Sequence, residues 1–186
     1  MTSRKLARPV AASQAPLLAR PYYSEQGTSP IVSSLARVPE ALEVTMPFIA
    51  TVLGPSAIDV RTKELVIVRT SARMECEYCV STHSVVALDS GCSALEVDAL
   101  RTGTDEGGAV FSAPERALLG WVDAVAGGPG AVAPEAAAAL AAHYDEAEVV
   151  ELTLLCAATI MLNRYCTALE LPASAATVGR LAAEGL

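Results

Sequence analysis

Cys76-Glu-Tyr-Cys79-Val-Ser-Thr-His83 gathers the groups of this 186-residue chain best placed to do chemistry. On a helix, Cys76 and Cys79 are i,i+3 neighbours and Cys79 and His83 are i,i+4 neighbours, so all three share one stripe. Two thiols so placed close a disulfide with little backbone movement when the first lies in the initial turn. A helix N-terminus favours negative charge, so cysteines there hold thiolate at neutral pH. His83 is within reach to take or return the Cys79 proton. Three readings compete. Both cysteines could be small packed hydrophobes. Cys76, Cys79 and His83 could be three zinc ligands, with Cys92 as the candidate fourth, although no second CxxC or HxxxH pair exists. The third reading, a redox dithiol without metal or cofactor, best accounts for a CxxC with a histidine in register.

These residues need helices to position them. Residues 39–102 read as a first helical block. Pro39 stands where a helix can begin, Ala41–Val52 has helical apolar spacing up to Gly54-Pro55, and a new start follows at Ser56 or Asp59. Lys63–Thr70 and Glu75–Ser90, closed by Gly91, follow. Residues 103–186 form a second block, punctuated by Gly107-Gly108 and Gly127-Gly128-Pro129-Gly130, with helices at 114–126, 134–143, 146–168 and 173–184. Residues 1–38, with four prolines and Arg4, Lys5 and Arg8, read as an irregular arm, either loose or laid across a neighbouring surface. The division is therefore an arm, 1–38, and a single helical domain, 39–186.

The two blocks carry a trace of duplication. At an offset of 87, Glu64 falls on Glu151, Leu65 on Leu152, Met74 on Met161, Tyr78 on Tyr165 and Cys79 on Cys166. Two related helical hairpins would each bury what the other exposes; chance matching of two Leu- and Ala-rich helices is the competing account.

Composition bounds the rest. Aromatics supply 4% of the residues and 35 alanines fill the apolar share, which suits small-residue helices in close contact and an all-α fold. A net charge of -8 argues against nucleic acid as a partner. Val149–Leu162 is the most apolar stretch, but it carries Glu151 and falls short of a bilayer span. No apolar export segment follows the N-terminal charges, so the five cysteines are expected in a reducing, cytoplasmic setting.

Glu64, eleven residues, Cys76, two, Cys79, three, His83 resembles the E-x11-C-x2-C-x3-H pattern of AhpD-like alkylhydroperoxidases, within the carboxymuconolactone decarboxylase superfamily. Lys63-Glu64-Leu65-Val66, Phe111-Ser112-Ala113-Pro114-Glu115-Arg116-Ala117, Glu151-Leu152-Thr153 and Met161-Leu162-Asn163-Arg164 also look like its peroxidase-related members. The resemblance covers residues 38–172. It implies an AhpD-like helical subunit in a homo-oligomer, trimer or hexamer. It implies that Cys79 attacks a hydroperoxide, that Cys76 resolves the sulfenic acid, and that Glu64 and His83 relay the proton. It further implies re-reduction by an external dithiol, in some members a lipoyl group on a partner protein.

The relay carries a geometric condition. On one straight helix Glu64 and His83 would lie about 28 Å apart, so the chain must turn near Ser71–Glu75, where no Gly or Pro marks a turn. Without that turn Glu64 is a solvated helix acid. Glu151 should be buried and partnered, with Arg164 the candidate. Tyr78 stands where some hydroperoxidases of the family have histidine, and it can still donate a hydrogen bond. Cys92, Cys156 and Cys166 read as packed core cysteines, with a third redox thiol as the alternative for Cys166; His143 reads as a helix-end or surface residue. Two other functions remain open. One is a pathway enzyme in which the same pocket acts on a dedicated small molecule; the other is a non-enzymatic redox-sensing oligomer.

Overall fold

The computed structural model describes residues 6–25, 27–105, 108–128 and 130–186. Arg4, Lys5 and the expected breaks at Gly107 and Pro129 lie outside the described residues. Within them, regular structure is helical throughout. Two 3-10 turns, Ala12–Gln14 and Leu17–Tyr22, precede α1 (Pro30–Leu35), α2 (Pro39–Leu53), α3 (Val60–Arg73), α4 (Glu77–Asp89), α5 (Ala94–Thr102), α6 (Ala113–Ala126), α7 (Pro134–Ala141), α8 (Glu146–Ala168) and α9 (Ala175–Ala183).

Helix α3 is the axis of the bundle. Asp59 caps it, accepting the Thr62 N–H at 2.9 Å. Val66 and Ile67 pack with Leu118 and Val122 of α6 and with Leu152 and Leu155 of α8. Leu65 and Val68 face Ala87 of α4 and Val97 and Leu100 of α5. Because α3 is enclosed on several sides, its polar residues need specific partners. Arg61 pairs with both Glu96 and Glu115, which complete the capping boxes of α5 and α6. Arg69 holds Asp123 of α6 through two bonds of 2.7 and 2.8 Å.

Lys63, 1% exposed, donates to the carbonyls of Val52 and Gly54 at the end of α2 and meets Glu151 at 2.9 Å. The partner of Glu151 is therefore Lys63, whereas Arg164 is exposed. The Glu151 side chain itself keeps 30% exposure, because its helix turns that residue to the rim of the core.

The chain turns between α3 and α4 as the relay requires. Glu75 adopts φ +53°, and its N–H and that of Cys76 donate back to the carbonyls of Ala72 and Ser71. This is a Schellman closure built on glutamate in place of glycine, which explains why no glycine announced it. The same closure ends α8, where Glu170 has φ +51° and Leu171 donates to the Cys166 carbonyl. The two segments aligned at the offset of 87 differ in structure: 64–79 is broken by the first turn, whereas 151–166 lies on α8 alone.

Before α2, Ala19, Val32 and Ala36 are buried against Leu42, and Ser34 of α1 hydrogen-bonds Tyr165 of α8 at 2.9 Å. Helix α8 is long and apolar enough to span a bilayer. Its apolarity serves the core, since Leu152, Leu155, Cys156 and Ala158 are buried against α3 and α6.

Candidate active site

The turn at Glu75 folds α4 back along α3, and this brings Glu64 to His83. The His83 Nδ1 lies 2.9 Å from Glu64 Oε2, and Glu64 is 5% exposed. With the carboxylate as acceptor, Nδ1 carries the hydrogen and Nε2 is left as the acceptor. A buried carboxylate is stable only with such a partner, so the pair fixes both the ring's tautomer and its orientation.

Cys76 serves two elements at once. Its N–H closes α3, and the residue is the N-cap of α4. Cys79 follows one turn later on the same face. Both are buried, at 1% and 5% exposure, and they pack with Cys166 of α8 and with Leu171. The three thiols bias one another. The thiols of Cys166 and then Cys79 stabilise negative charge on Cys76, with the Cys79 N–H and the Thr167 hydroxyl adding to it, and pull Cys76 well below the usual thiol range. Its position at a helix N-terminus acts in the same direction. Cys79 is pushed up, first by Cys166 and Cys76 and then by burial. Cys166 is pushed up to about 12, chiefly by Cys76.

Access falls on the other sulfur. Cys79 opens into a cavity of ≈ 50 Å³, which it shares with Tyr78, Thr82 and His83 of α4, Ser71 of α3 and Asn163 of α8. Ile31 of α1, Leu53 of α2, Ile67 and Leu162 form its apolar wall. Burial pushes the Tyr78 phenol up to about 12, so it stays a neutral hydrogen-bond donor. Asn163 is fully buried; its Oδ1 accepts from Ser71 Oγ at 3.1 Å, and its Nδ2 has no partner among the described residues. A buried amide hydrogen without an acceptor costs about 1–3 kcal/mol, and here the amide borders the cavity that holds Cys79.

All four sequence-derived candidates, Glu64, Cys76, Cys79 and His83, thus meet at one place. Cys92 does not join them. It packs with Leu65, Ala87 and Val97, and burial pushes its thiol up to about 11. It cannot be the fourth zinc ligand, and among the described residues no group of three or more His, Cys, Asp or Glu side chains is arranged to hold a metal. Cys156 is a core cysteine 3.4 Å from Thr70 Oγ1, and His143 is exposed just past α7. Asn163 had no role assigned from the sequence, and Cys166, read there as a packed core cysteine with a third redox thiol as the alternative, stands in the cluster of Cys76 and Cys79. An offset of 87 sets Asn163 against Cys76 and Cys166 against Cys79.

Residues 39–124 match the carboxymuconolactone decarboxylase family. No curated protein matches the chain. Among solved structures, a protein of unknown function from Agrobacterium tumefaciens, described as a putative antioxidant defence protein AhpD, is 27% identical. It aligns over 75% of this chain and 94% of its own, with a TM-score of 0.69. An uncharacterised peroxidase-related protein from Ralstonia eutropha JMP134 is 17% identical over 92% of this chain and 96% of its own, with a TM-score of 0.76. The debrominase Bmp8 is 22% identical over 98% of this chain and 100% of its own, with a TM-score of 0.81. A variant of that debrominase has been solved in complex with 2,3,4-tribromopyrrole.

Proposed function

The chain is an AhpD-like member of the carboxymuconolactone decarboxylase superfamily, and on that premise we propose that it is a thiol-dependent peroxidase that reduces alkyl hydroperoxides with the Cys76–Cys79 dithiol. The observation that carries this reading is the cavity in which Cys79 meets His83, itself held by Glu64, while a second thiol stands directly behind.

In the resting site the charge resides on Cys76 and the proton on Cys79. His83, held by Glu64, takes that proton at Nε2 and makes the accessible sulfur nucleophilic. Cys79 then attacks the terminal peroxide oxygen and the O–O bond breaks. The leaving alkoxide takes the proton back from His83 and departs as the alcohol, steadied by the Asn163 amide that borders the cavity. The Cys76 thiolate attacks the Cys79 sulfenic acid, an S–S bond forms, and the released hydroxide becomes water with one proton supplied from solvent by way of His83. Two thiols are oxidised and one hydroperoxide is reduced to alcohol and water. An external dithiol, such as a lipoyl group on a partner protein, restores the pair by exchange. No metal or cofactor takes part. The exposed apolar residues Val150, Leu154 and Met161, spaced along one side of α8, supply a face on which copies of a cytoplasmic homo-oligomer would pack.

A second reading has its own observation. The likeness to the debrominase extends over 98% of this chain and takes in α1, whose Ile31 walls the cavity. The same dithiol could deliver its two electrons to an aryl bromide, yielding the arene, bromide, a proton and the disulfide.

One experiment separates the two. Reduced protein is mixed with a stoichiometric organic hydroperoxide or with a bromopyrrole, and the tryptic peptides are weighed. The peroxidase reading expects loss of two hydrogens within peptide 74–101, mapped to a Cys76–Cys79 bond, with hydroperoxide. Oxidation by the bromopyrrole alone, with bromide released, would transfer the assignment to dehalogenation. Thiols inert to both in folded protein would remove the redox reading.

A further inference from the structure

Cys166 lies 87 residues from Cys79 in sequence, yet the two are buried in one cluster with Cys76 and Leu171. It sits in the last turn of α8, and the backbone closure that follows it places Leu171 over the cluster. Cys166 is 1% exposed. Leu169 and Leu171 pack in the same cluster, and two thiols stand there too, one of which meets the cavity.

Resting on the dithiol reading above, we propose that Cys166 is a second resolving thiol: when Cys79 carries a sulfenic acid that Cys76 does not close, Cys166 closes it. The Cys166 sulfur displaces the sulfenic oxygen from Cys79, so the S–O bond breaks and an S–S bond forms. The Cys166 proton and the released hydroxide leave as water. The oxidant is the same hydroperoxide, and no further redox partner is needed. The two disulfides differ mechanically. Cys76–Cys79 closes within one helical turn, whereas Cys79–Cys166 ties α4 to α8.

The test uses Cys76→Ser, a substitution the fold accepts because serine is a favoured N-cap residue. Reduced variant is treated with one equivalent of cumene hydroperoxide in the presence of dimedone, then digested with trypsin. Peptides 74–101 and 165–180 are separate, so a Cys79–Cys166 bond joins two peptides that a Cys76–Cys79 bond leaves apart. The expected result is that linked pair, with fragmentation placing the bond at Cys79 and not Cys92, and little dimedone adduct. The double variants Cys76→Ser/Cys166→Ala and Cys76→Ser/Cys166→Ser should both trap the adduct at Cys79 instead; agreement between them guards against misfolding of either. Equal dimedone labelling in Cys76→Ser and in the double variants would overturn the proposal while the wild-type Cys76–Cys79 bond still formed. Failure of the wild type to oxidise would remove the underlying dithiol reading, and this proposal with it.

Discussion

Glu64→Gln isolates the charge of the relay from its shape. The amide has the size of the carboxylate, and its Oε1 can still accept the His83 Nδ1–H now held at 2.9 Å. What disappears is the negative charge that supports His83 while it carries the incoming proton. A hydrogen bond to a charged partner contributes about 1.5–3 kcal/mol, and one between neutral partners about 0.5–1.5 kcal/mol. The difference, about 1–2 kcal/mol, falls on the transition state and corresponds to an oxidation rate about 5- to 30-fold slower. Folding should not suffer. Glu64 is 5% exposed, and burying a neutral amide costs less than burying a carboxylate, so the thermal midpoint should hold or rise. The assay is rapid-mixing oxidation of reduced protein by hydroperoxide under single-turnover conditions, followed by acid quench and thiol counting. Glu64→Ala, which also removes the acceptor, should be slower still. A Glu64→Gln rate within twofold of wild type, in protein of unchanged stability, would refute the relay and return Glu64 to a purely structural part.

Two further outcomes follow from the charge distribution. Cys76 lies well below the usual thiol range, so thiolate absorbance should persist as pH falls below neutrality and should drop in Cys76→Ser; absorbance that develops only above the ordinary thiol value would contradict the assignment. The sign of the linked stability is fixed by the same depression: the Cys76 contribution is complete above the unfolded value of about 8.5 and is lost as pH falls toward the folded value, so the wild type should lose denaturation midpoint relative to Cys76→Ser across that range. Lys63→Met leaves two carbonyls and Glu151 without their buried cation. Because Glu151 keeps 30% exposure, the cost should sit near the low end for a broken buried pair, about 3 kcal/mol, or roughly 6–12 °C in thermal midpoint; an unchanged midpoint by calorimetry would show that Lys63 does not anchor α2 to α8.

Much of the fold could be read from local signals, because the helices carry their own punctuation. Asp145 with Glu148 and Ser112 with Glu115 form capping boxes at the starts of α8 and α6, and Gly91 closes α4. Helix α5 went unassigned although Ser93 and Glu96 make the same box; nine residues give too few repeats of an apolar face to be heard against the turn before it. Helix α1 is shorter still, and its apolar side acquires meaning only from Leu42, to which it packs. The turn after α3 was required by the relay and not by composition. Glutamate can occupy a left-handed position at a cost of about 1–2 kcal/mol, so residue type alone could not place it.

The site divides along the same line. Glu64, Cys76, Cys79 and His83 were legible because one helical hairpin holds all four and their spacing reports the helix period. Asn163 and Cys166 come from α8, and no local pattern states which face of one helix will meet another. Nor could spacing reveal that acidity and access belong to different sulfurs. That separation bears on how such a site survives its own substrate. Peroxides react with thiolates and not with thiols; Cys76, drawn below the usual thiol range, stands behind the cavity, while Cys79, which meets the cavity, is pushed up. On the proposed mechanism, attack therefore waits on removal of the Cys79 proton by His83. When it does occur, the oxidised Cys79 already has a thiol in contact with it. An arrangement with the charge on the accessible sulfur would react with stray peroxide sooner, and it would leave the product sulfenic acid open to a second equivalent before any partner closed it.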